Sequence, residues 1–439
     1  MVELRRELSA NEAWAKIIDR YDIVTEVSRN GLFHITASQI KEYKEPRLMA
    51  KWDSAALLPK VLKDNNLNIL PDSRSSYVLG DFRLYKEIPE LEERVEKMKR
   101  VVLPEYETID VNNITSEANA INVLILSGIL DDFLATGENV ATFNGRMGTG
   151  QFDFLIDTIS HGKQKIRVVN AQCEIDGGFE NDSSVVIMEA KNVIHDDFNI
   201  RQLYYPYRLW EKKVTKPIRL VFSVYSNMIY RLFEYRFADV TDLSSIELVK
   251  TKNYSLQDTT ITMEDLQNVR KSTSVRTDDN EDKQEGQKVP FIQADSMDRI
   301  INLLENIYEN PMTTGEIAQL MNFEPRQSNY YVSAGKYLGV FEKGENAEGK
   351  TATILSRLGE KIYKMNYKQR QLKIVELMLE HQIFADCFDY IVNNGTLPHK
   401  ELVKARMREL NVCGESLIDR RASSVLGWLR WMLYLTQMN

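Results

Sequence analysis

The sequence is poor in cysteine and proline and has no long apolar run. Only three of its 439 residues are cysteines, at Cys173, Cys387 and Cys413, and 11 are prolines. The cysteines are scattered and odd in number, spaced neither as metal ligands nor as a disulfide framework, so we expect core thiols. No apolar stretch approaches the roughly 18 residues of a membrane span. The opening MVELRRELSANEAW lacks the apolar core of a signal peptide, which predicts a cytoplasmic protein without a membrane partner.

Charge and apolar content are those of a soluble globular protein. Apolar residues make up 43% of the chain and charged residues 27%, which allows a sizeable core, and the length predicts two or three domains. The net charge of −8 argues against a chain that coats nucleic acid without specificity. A local basic cleft would still permit DNA binding, because association depends on the local field.

A polar, charge-dense segment at residues 271–296 divides the chain. It has almost no apolar residue before Val289, which is typical of linkers. We therefore predict an N-terminal α+β region at 1–110, an α/β core at 111–270, this linker, and two mainly helical regions at 297–366 and 367–439. The N-terminal region has two interpretations, a DNA clamp and a structural cap.

The predicted core alternates helical and extended patterns. Apolar residues recur at helical spacing after Ser116, which suits an N-cap, and three extended segments follow, GQFDFLID, KIRVVNAQCEIDGGFE and SSVVIMEAK. The next segment, DFNIRQLYYPYRLWEKK, is helical, and Pro206 predicts a start near that residue because proline suits only a first turn. Two more strands, PIRLVFSVYS and MIYRLFEYRF, complete an α/β fold with a mixed central sheet flanked by helices.

The strand VVIMEAKN, residues 185–192, ends in a carboxylate and an ammonium, which form either a salt bridge at a strand end or part of a functional site. ENDSS before it is turn chemistry, so this strand should form a hairpin with the preceding one. That hairpin brings Asp176 opposite Glu189, to within one residue, with Cβ atoms about 4.5–5.5 Å apart. Lys191 shares the face of Glu189. Asp176, Glu189 and the Ala190 carbonyl then suit Mg²⁺, while Lys191 orients or deprotonates the attacking water or stabilises phosphate charge.

The stretch EIDGGFENDSSVVIMEAKN resembles the acid…Glu-x-Lys signature of the PD-(D/E)XK nucleases. Asp176 matches the first acid, Glu189 the second and Lys191 the lysine. The residue before Asp176 is not proline, which departs from the motif. Glu174 and Glu180 share the face of Asp176 by strand alternation, so the identity of the first acid stays open.

The resemblance, with this core placed between an N-terminal region and C-terminal modules, implies a type II restriction endonuclease. Such an enzyme uses Mg²⁺ to cut double-stranded DNA at a defined sequence, and a companion methyltransferase protects the host DNA. The resemblance also implies auxiliary roles for Glu117, as an accessory acid, and for Gln202, although Pro206 replaces the expected tyrosine four residues later. The alternatives are a helix-terminus charge for Glu117 and ordinary packing for Gln202. A homodimer would match a palindromic site, and a monomer is left open.

Two basic residues of the core are candidates for DNA contact. Arg146 lies in a glycine-rich stretch, residues 144–157, which lacks the Gly-Lys-Ser/Thr ending of a phosphate-binding loop. A flexible turn there would bring Arg146 to the DNA backbone, and a loop that merely precedes a strand is the alternative. Arg201 either contacts phosphate or faces water.

Residues 297–366 show three helical segments and then two short strands around a polar tip, the order of a winged helix. The start of the third helix would read base edges through Arg326, Gln327, Ser328, Asn329 and Tyr330. Near the C-terminus, Arg420 and Arg421 open a further helix and are candidates for phosphate contact. Winged helices also serve in dimerisation and domain packing, so DNA binding is one of two interpretations.

Two other functions are compatible with these patterns. A repair or recombination nuclease would read DNA structure instead of sequence, and a non-catalytic winged-helix regulator would carry a degenerate nuclease core. The complete acid–Glu–Lys set argues against degeneracy. The absence of G-x-x-x-x-G-K-S/T argues against an autonomous translocating nuclease.

Overall fold

The computed structural model describes residues 8–89, 95–98, 107–109, 114, 116–276, 282–284, 287–321, 323 and 325–438. Its helices are α1 Ala10–Tyr21, α2 Ile23–Asn30, α3 Ala37–Lys41, α4 Arg47–Ala50, α5 Lys60–Asp64, α6 Glu117–Leu126, α7 Ile129–Leu134, α8 Arg201–Trp210, α9 Met263–Ser272, α10 Met297–Glu309, α11 Thr314–Met321, α12 Pro325–Tyr337, α13 Arg357–Tyr363, α14 Tyr367–Leu379, α15 Gln382–Asn394, α16 Lys400–Glu409 and α17 Glu415–Tyr434. Its strands are β1 Phe33–Thr36, β2 Asn68–Pro71, β3 Ser76–Gly80, β4 Tyr85–Glu87, β5 Val95–Lys97, β6 Val140–Gly148, β7 Gln151–Asp157, β8 Lys163–Val169, β9 Gln172–Glu180, β10 Val185–Lys191, β11 Asp197–Asn199, β12 Ile218–Ser226, β13 Ile229–Phe237, β14 Ile246–Ser255, β15 Asp282–Gln284, β16 Gln287–Val289, β17 Phe341–Glu345 and β18 Thr351–Leu355.

The N-terminal region folds around a buried tryptophan. Strands β1, β2 and β3 form an antiparallel sheet in the order β1-β3-β2. Trp14 of α1 is fully buried, and its indole donates to the carbonyl of Met49 at 2.9 Å. Ser9 and Glu12 fix the start of α1, because each side chain accepts from the backbone N–H of the other. This region therefore has an apolar cluster of its own.

The centre of the molecule is a seven-stranded mixed sheet with strand order β5-β14-β13-β12-β10-β9-β6. The pairs β10–β12 and β14–β5 are parallel, and the other pairs are antiparallel. Helices α6 and α7 pack on one face and α8 on the other. Because both faces are covered, β10 is apolar along most of its length. The predicted α/β class, with a mixed central sheet and flanking helices, is confirmed.

The segment before β10 holds more strands than the sequence patterns indicate. KIRVVNAQCEIDGGFE, predicted as one strand, forms β8 and β9, with Asn170 at a positive φ of 54° between them. Strand β7 pairs with β8 in a separate hairpin and stays outside the central sheet. Arg146, predicted in a turn or loop, lies on β6, whose pairing with β9 has register shifts. Such irregularities accommodate the glycines that regular strands disfavour.

Helix α8 contradicts the predicted start at Pro206. It begins at Arg201 and continues through Pro206 to Trp210. A proline inside a helix removes one backbone hydrogen bond, and the burial of the apolar face of α8 against the sheet offsets that loss. As a result, Gln202 lies in the first turn of a helix that faces β10.

The C-terminal part is helical apart from the β17–β18 hairpin. Helices α10, α11 and α12 precede that hairpin, in the order predicted from the sequence, and α13 to α17 follow it. One apolar cluster joins these helices to Val193, Met228 and Ile229 around the central sheet. No helix within the described residues is long and apolar enough to cross a membrane.

The predicted linker at 271–296 is packed at both ends. Helix α9 extends into its start, and Thr273 is buried. Near its end Ile292 is fully buried, and the indole of Trp428 donates to the carbonyl of Ala294 at 3.0 Å. These ends are folded structure because their apolar side chains complete the C-terminal core. The rest of the predicted linker, and the predicted boundary at residue 110, fall partly outside the described residues, at 277–281, 285–286 and 110–113.

Candidate active site

The β9–β10 hairpin brings Asp176 beside the C-terminal end of β10. Its ladder ends with the pair Met188–Gly177, so the next residues on the two strands are Glu189 and Asp176, the register predicted from the sequence. The N–H of Ala190 donates to Asp176 Oδ2 at 3.0 Å. The acid on β9 is therefore held against the backbone of β10.

The turn of the hairpin sets this register. Asn181 Oδ1 accepts from the N–H groups of Ser183, at 2.9 Å, and Ser184, at 2.8 Å, which is the turn chemistry expected of asparagine. On the neighbouring strand, Phe143 packs over Gly178 so closely that a Cβ there would lie 2.3 Å from the ring. Turn and packing together fix which side chains of β10 face the site.

Glu189 is almost fully buried and has two donors. Lys191 Nζ donates to Glu189 Oε1 at 2.6 Å, and Gln202 Nε2 of α8 donates to the same oxygen. Burial raises the pKa of Glu189 to about 8, against the opposing effect of Lys191, and Asp176 adds to the rise. Burial also opposes the charge of Lys191, but the surrounding carboxylates outweigh it and raise the pKa of Lys191, which favours the ammonium form.

Glu117, the predicted accessory acid, reaches the same site from the first turn of α6. Ser116 caps that helix as predicted, since its Oγ accepts from the N–H of Asn119 at 3.1 Å. The Glu117 carboxylate accepts from the N–H of Asn192, just after β10. Burial raises the pKa of Glu117, and Lys191 opposes the rise. Glu117 is therefore close enough to Lys191 for the ammonium group to stabilise the ionised form of the Glu117 carboxyl.

These groups line a cavity of about 420 Å³, together with Asp53 from the N-terminal region. The carbonyl of Asp53 accepts from the N–H of Asn199, at 2.9 Å, which ties this segment to β11. The Oδ1 atom of Asp53 is buried without a hydrogen-bond partner, and so is Oε1 of Gln202. No local sequence pattern marks Asp53, because packing between distant regions of the chain brings it to the site.

The lining fits a hard divalent cation of the kind that the resemblance implies. Asp53 Oδ1 and Gln202 Oε1 are buried oxygen atoms without partners, and Asp176 and Glu189 add carboxylates. Oxygen atoms are the ligands that Mg²⁺ prefers, and the ion usually keeps several waters. Among the described residues, no group of three or more His, Cys, Asp or Glu side chains is placed to hold a metal ion. Protein ligands would therefore supply only part of the coordination shell.

Basic side chains also border this cavity: Arg47, Lys51, Arg74, Arg146 and Arg201. Arg146 donates from Nε to Glu174 of β9 at 3.3 Å. The Arg201 guanidinium lies 5.6 Å from the centroid of the Tyr205 ring. Three of the five come from the N-terminal region, where no sequence pattern marked them. Cations around a group of acids are suited to holding a polyanion near a bound metal ion.

Glu180 and Glu174 are the alternatives to Asp176 as the first acid, and both form ion pairs with basic side chains. Glu180 is at the turn end of β9 and pairs with Lys216 at 2.7 Å, away from the cavity. Glu174 borders the cavity but is half exposed, and its carboxylate faces Arg146 at 3.3 Å and Lys51 at 4.0 Å. Asp176 is the upstream acid in register with Glu189.

The C-terminal candidates divide into an exposed cluster and two buried residues. The guanidinium groups of Arg326 and Arg420 lie 5.7 and 4.9 Å from the centroid of the Tyr330 ring, so α12 and α17 meet there. Both arginines are exposed, as are Gln327 and Asn329 on the same turn of α12. We call Arg326, Tyr330 and Arg420 the tyrosine–arginine cluster.

The predictions for Ser328 and Arg421 are wrong. Ser328 is fully buried on the face of α12 that also carries Tyr331. Arg421 is 6% exposed and donates to Cys413, one turn before buried Val425. A shift of one residue on a helix turns a side chain by about 100°, so neighbours of exposed residues can point into the core.

Three family models match the chain, and each is described as a domain of unknown function: DUF6996 at residues 11–79, DUF6997 at residues 80–255 and DUF7226 at residues 299–437. No curated protein and no solved structure shows a significant match. Asp53 lies in the first matched segment, and Asp176, Glu189 and Lys191 lie in the second. The candidate active site is thus built from two segments that resemble separate domain families of unknown function.

Proposed function

We propose that the protein is a Mg²⁺-dependent endonuclease that cuts double-stranded DNA at a defined sequence. Its setting would be a cytoplasmic restriction–modification system with a companion methyltransferase. The observation that carries this proposal is the meeting of Asp176, Glu189 and Lys191 at the end of a buried hairpin, with Glu117 and Gln202 beside them. Their order and spacing resemble the acid…Glu-x-Lys signature of the PD-(D/E)XK nucleases.

The side chains divide the chemical work of phosphodiester hydrolysis, in which water attacks phosphorus and a 3′ oxygen leaves. Asp176, Glu189 and the Ala190 carbonyl would hold Mg²⁺, which supplies charge stabilisation and a more acidic water when bound. Gln202 orients Glu189 through its hydrogen bond. Lys191 keeps its proton, because nearby carboxylates raise its pKa. It therefore stabilises phosphate charge and orients water instead of acting as a general base.

The C-terminal part would supply DNA recognition. Helices α10 to α12 and the β17–β18 hairpin support a winged-helix interpretation. Arg326, Tyr330 and Arg420 would contact the DNA backbone, and Gln327 and Asn329 would face base edges. A homodimer is the assembly that matches a palindromic target.

Digestion of phage DNA with the protein and Mg²⁺ tests the proposal. Discrete fragments that require Mg²⁺ are the expected result. A smear would indicate a structure-directed nuclease or an exonuclease, and uncut but retarded DNA would indicate a regulator. Either of these two outcomes contradicts the proposal.

A further inference from the structure

A second cavity, of about 1020 Å³, lies between the central sheet and the C-terminal helices. It is bordered by β12, β13, the segment after β10, the start of α10 and the end of α17. It shares no lining residue with the candidate active site. One of its lining residues is Arg231, which is only 5% exposed.

Arg231 has no partner for most of its donors. Its Nε and Nη1 atoms are buried without a hydrogen bond. Burial lowers the pKa of Arg231, and the negative charge of Asp298, which lines the same cavity, opposes that effect. The Asp298 carboxylate itself accepts a hydrogen bond from Trp431. Three of the five N–H donors of this enclosed guanidinium thus have no protein partner, and such donors are normally completed by water, an ion or a ligand.

Most of the other charged side chains at this cavity have an ion-pair or hydrogen-bond partner or are exposed to solvent. Arg299 pairs with Asp196, and Asp295 accepts from the Tyr331 hydroxyl at 3.2 Å. His195 contacts the Leu320 carbonyl at 3.2 Å, and burial lowers its pKa to about 4, so it is neutral at pH 7. Two further residues, Glu87 and Arg430, are exposed at the cavity. Arg231 is therefore a buried cation at this cavity whose Nε and Nη1 donors have no hydrogen-bond partner, with Asp298 as the main opposing charge.

The sheet places Arg231 on the same face as the candidate active site. Lys191 pairs with Val224, and Val224 pairs with Arg231, so the three side chains form one row across the sheet. Two strand spacings separate Lys191 from Arg231, which is about 10 Å between backbones. The residues that follow Lys191, at 194–196, line the second cavity. This cavity adjoins the active site without belonging to it.

We propose that this cavity binds an organic phosphate of mononucleotide size, with the phosphate oxygens accepting from Arg231. The planar fork of arginine matches oxyanions, and the N-terminus of the 13-residue helix α10 borders the same space and favours an anion. The volume is that of an organic ligand site instead of a single ion. Phe233, Trp431 and Tyr434 give the organic part an aromatic wall. This site is independent of the proposed nuclease function.

Calorimetric titration and thermal denaturation of the full chain, without Mg²⁺, test the assignment. The probes are inorganic phosphate and each of the four deoxynucleoside monophosphates. We expect at least one nucleotide to bind, raise the melting temperature and bind more tightly than inorganic phosphate. Arg231→Met should weaken that binding by about tenfold or more, because charge-assisted hydrogen bonds are lost. Arg236→Met, an exposed change on the same strand, should bind as the wild type does.

Thermal denaturation of the protein without ligand distinguishes a ligand-binding role of Arg231 from a structural role. Arg231 lowers the pKa of Asp298 against the effect of burial, so Arg231→Met takes an opposing charge from that carboxylate. The melting temperature of free Arg231→Met should therefore fall, whereas free Arg231→Lys should melt near the wild-type temperature. If Arg231→Met does not fold, Arg231→Lys, which keeps the charge but loses the fork, should weaken binding in its place. Absence of binding by every probe at millimolar concentration, equal binding of phosphate and nucleotides, or wild-type affinity in both Arg231 variants would overturn the proposal.

Discussion

The carboxyl group of Glu189 is buried, and burial makes its ionisation energetically unfavourable. Its pKa is raised from 4.5 to about 8, so between these values the folded protein keeps a proton that the unfolded chain has lost. Because the folded state binds more protons there, the stability that this group contributes falls as pH rises through that window. Glu189→Gln should flatten the decline by up to about 1.4 kcal/mol per pH unit.

Urea denaturation across this pH range measures that effect, with Glu174→Gln on the neighbouring strand as the control. The account predicts a changed slope for Glu189→Gln and the wild-type slope for Glu174→Gln. Parallel pH profiles for Glu189→Gln and the wild type would show that Glu189 does not carry this proton.

Asp53 offers a buried oxygen without a partner to the candidate metal site. Asp53→Asn removes the negative charge but keeps the size, so Mg²⁺ should bind about tenfold more weakly, the change expected when one ligand or its support is lost. Calorimetric titration with Mg²⁺ measures it. Asp64→Asn, an exposed change in the same region that affects a pair with Lys60, is the control. Equal Mg²⁺ affinity in Asp53→Asn and Asp64→Asn would remove Asp53 from the site.

The sequence predicted residues whose positions depend on local rules. The register of Asp176 and Glu189 follows from one turn and the two-residue period of strands, and both are where the hairpin predicted them. Asp53 could not be found in this way, since its place depends on contacts between distant segments. Ser328 and Arg421 were misplaced because the apolar pattern predicts the helices but does not determine their rotation about their own axes.

At the scale of elements, the errors have identifiable causes. The asparagine and glycines of β6 indicated a turn, yet the strand accommodates them through register shifts with β9. Pro206 indicated a helix start, yet the buried face of α8 stabilises the helix on both sides of it. In each case tertiary packing outweighs a local preference. The hairpin of β9 and β10 had no such conflict.

Helix α10 fixes the segment that follows Lys191. Asn302 is fully buried, and its Oδ1 accepts from the N–H of Ile194 at 3.2 Å. Its Nδ2 donates to the Asn192 carbonyl at 2.8 Å and to Ser226 Oγ at 3.0 Å. One side chain of the C-terminal part thus holds the backbone next to the candidate active site.

Asn302→Ala should lower the free energy of unfolding by about 2–4 kcal/mol, because it leaves buried backbone groups unsatisfied and opens a small cavity. Denaturant unfolding measures the change. Asn306→Ala is the matched control, since Asn306 lies one turn later and, within the part of the chain that the structure describes, its side chain donates only to the carbonyl of Asn302 in the same helix. Similar losses for both variants would contradict the role given to Asn302.

For the whole molecule, two stretches of chain line the candidate active site, and a third packs against the sheet that carries it. The N-terminal region contributes Asp53 and three basic side chains, and the central sheet contributes the acid–Glu–Lys set. The C-terminal part packs against the same sheet. The fold class was predictable, because buried strands and amphipathic helices leave periodic patterns. The packing of these regions on one another was not, because contacts between distant surfaces have no sequence period.

The tyrosine–arginine cluster should contribute to DNA affinity through phosphate contacts. Changing Arg326 and Arg420 together to alanine should weaken binding at all sequences and reduce the slope of log K against log salt by about 1 to 2. Fluorescence anisotropy with a DNA duplex over a salt series measures both quantities. Arg236→Ala, exposed and paired with Glu247, should behave as the wild type. An unchanged salt slope in the double variant would contradict DNA contact by this cluster.

If the buried acid–Glu–Lys set hydrolyses DNA, single-turnover cleavage of a DNA fragment must depend on Lys191, and the rate of Lys191→Ala measures that dependence. The control is Lys165→Ala, an exposed lysine on β8, and thermal denaturation confirms that both variants are folded. The account predicts discrete cleavage by the wild type and by Lys165→Ala, and a rate at least about 100-fold lower for Lys191→Ala, as expected for the loss of one charge-stabilising donor. Cleavage by folded Lys191→Ala at the wild-type rate would contradict the account.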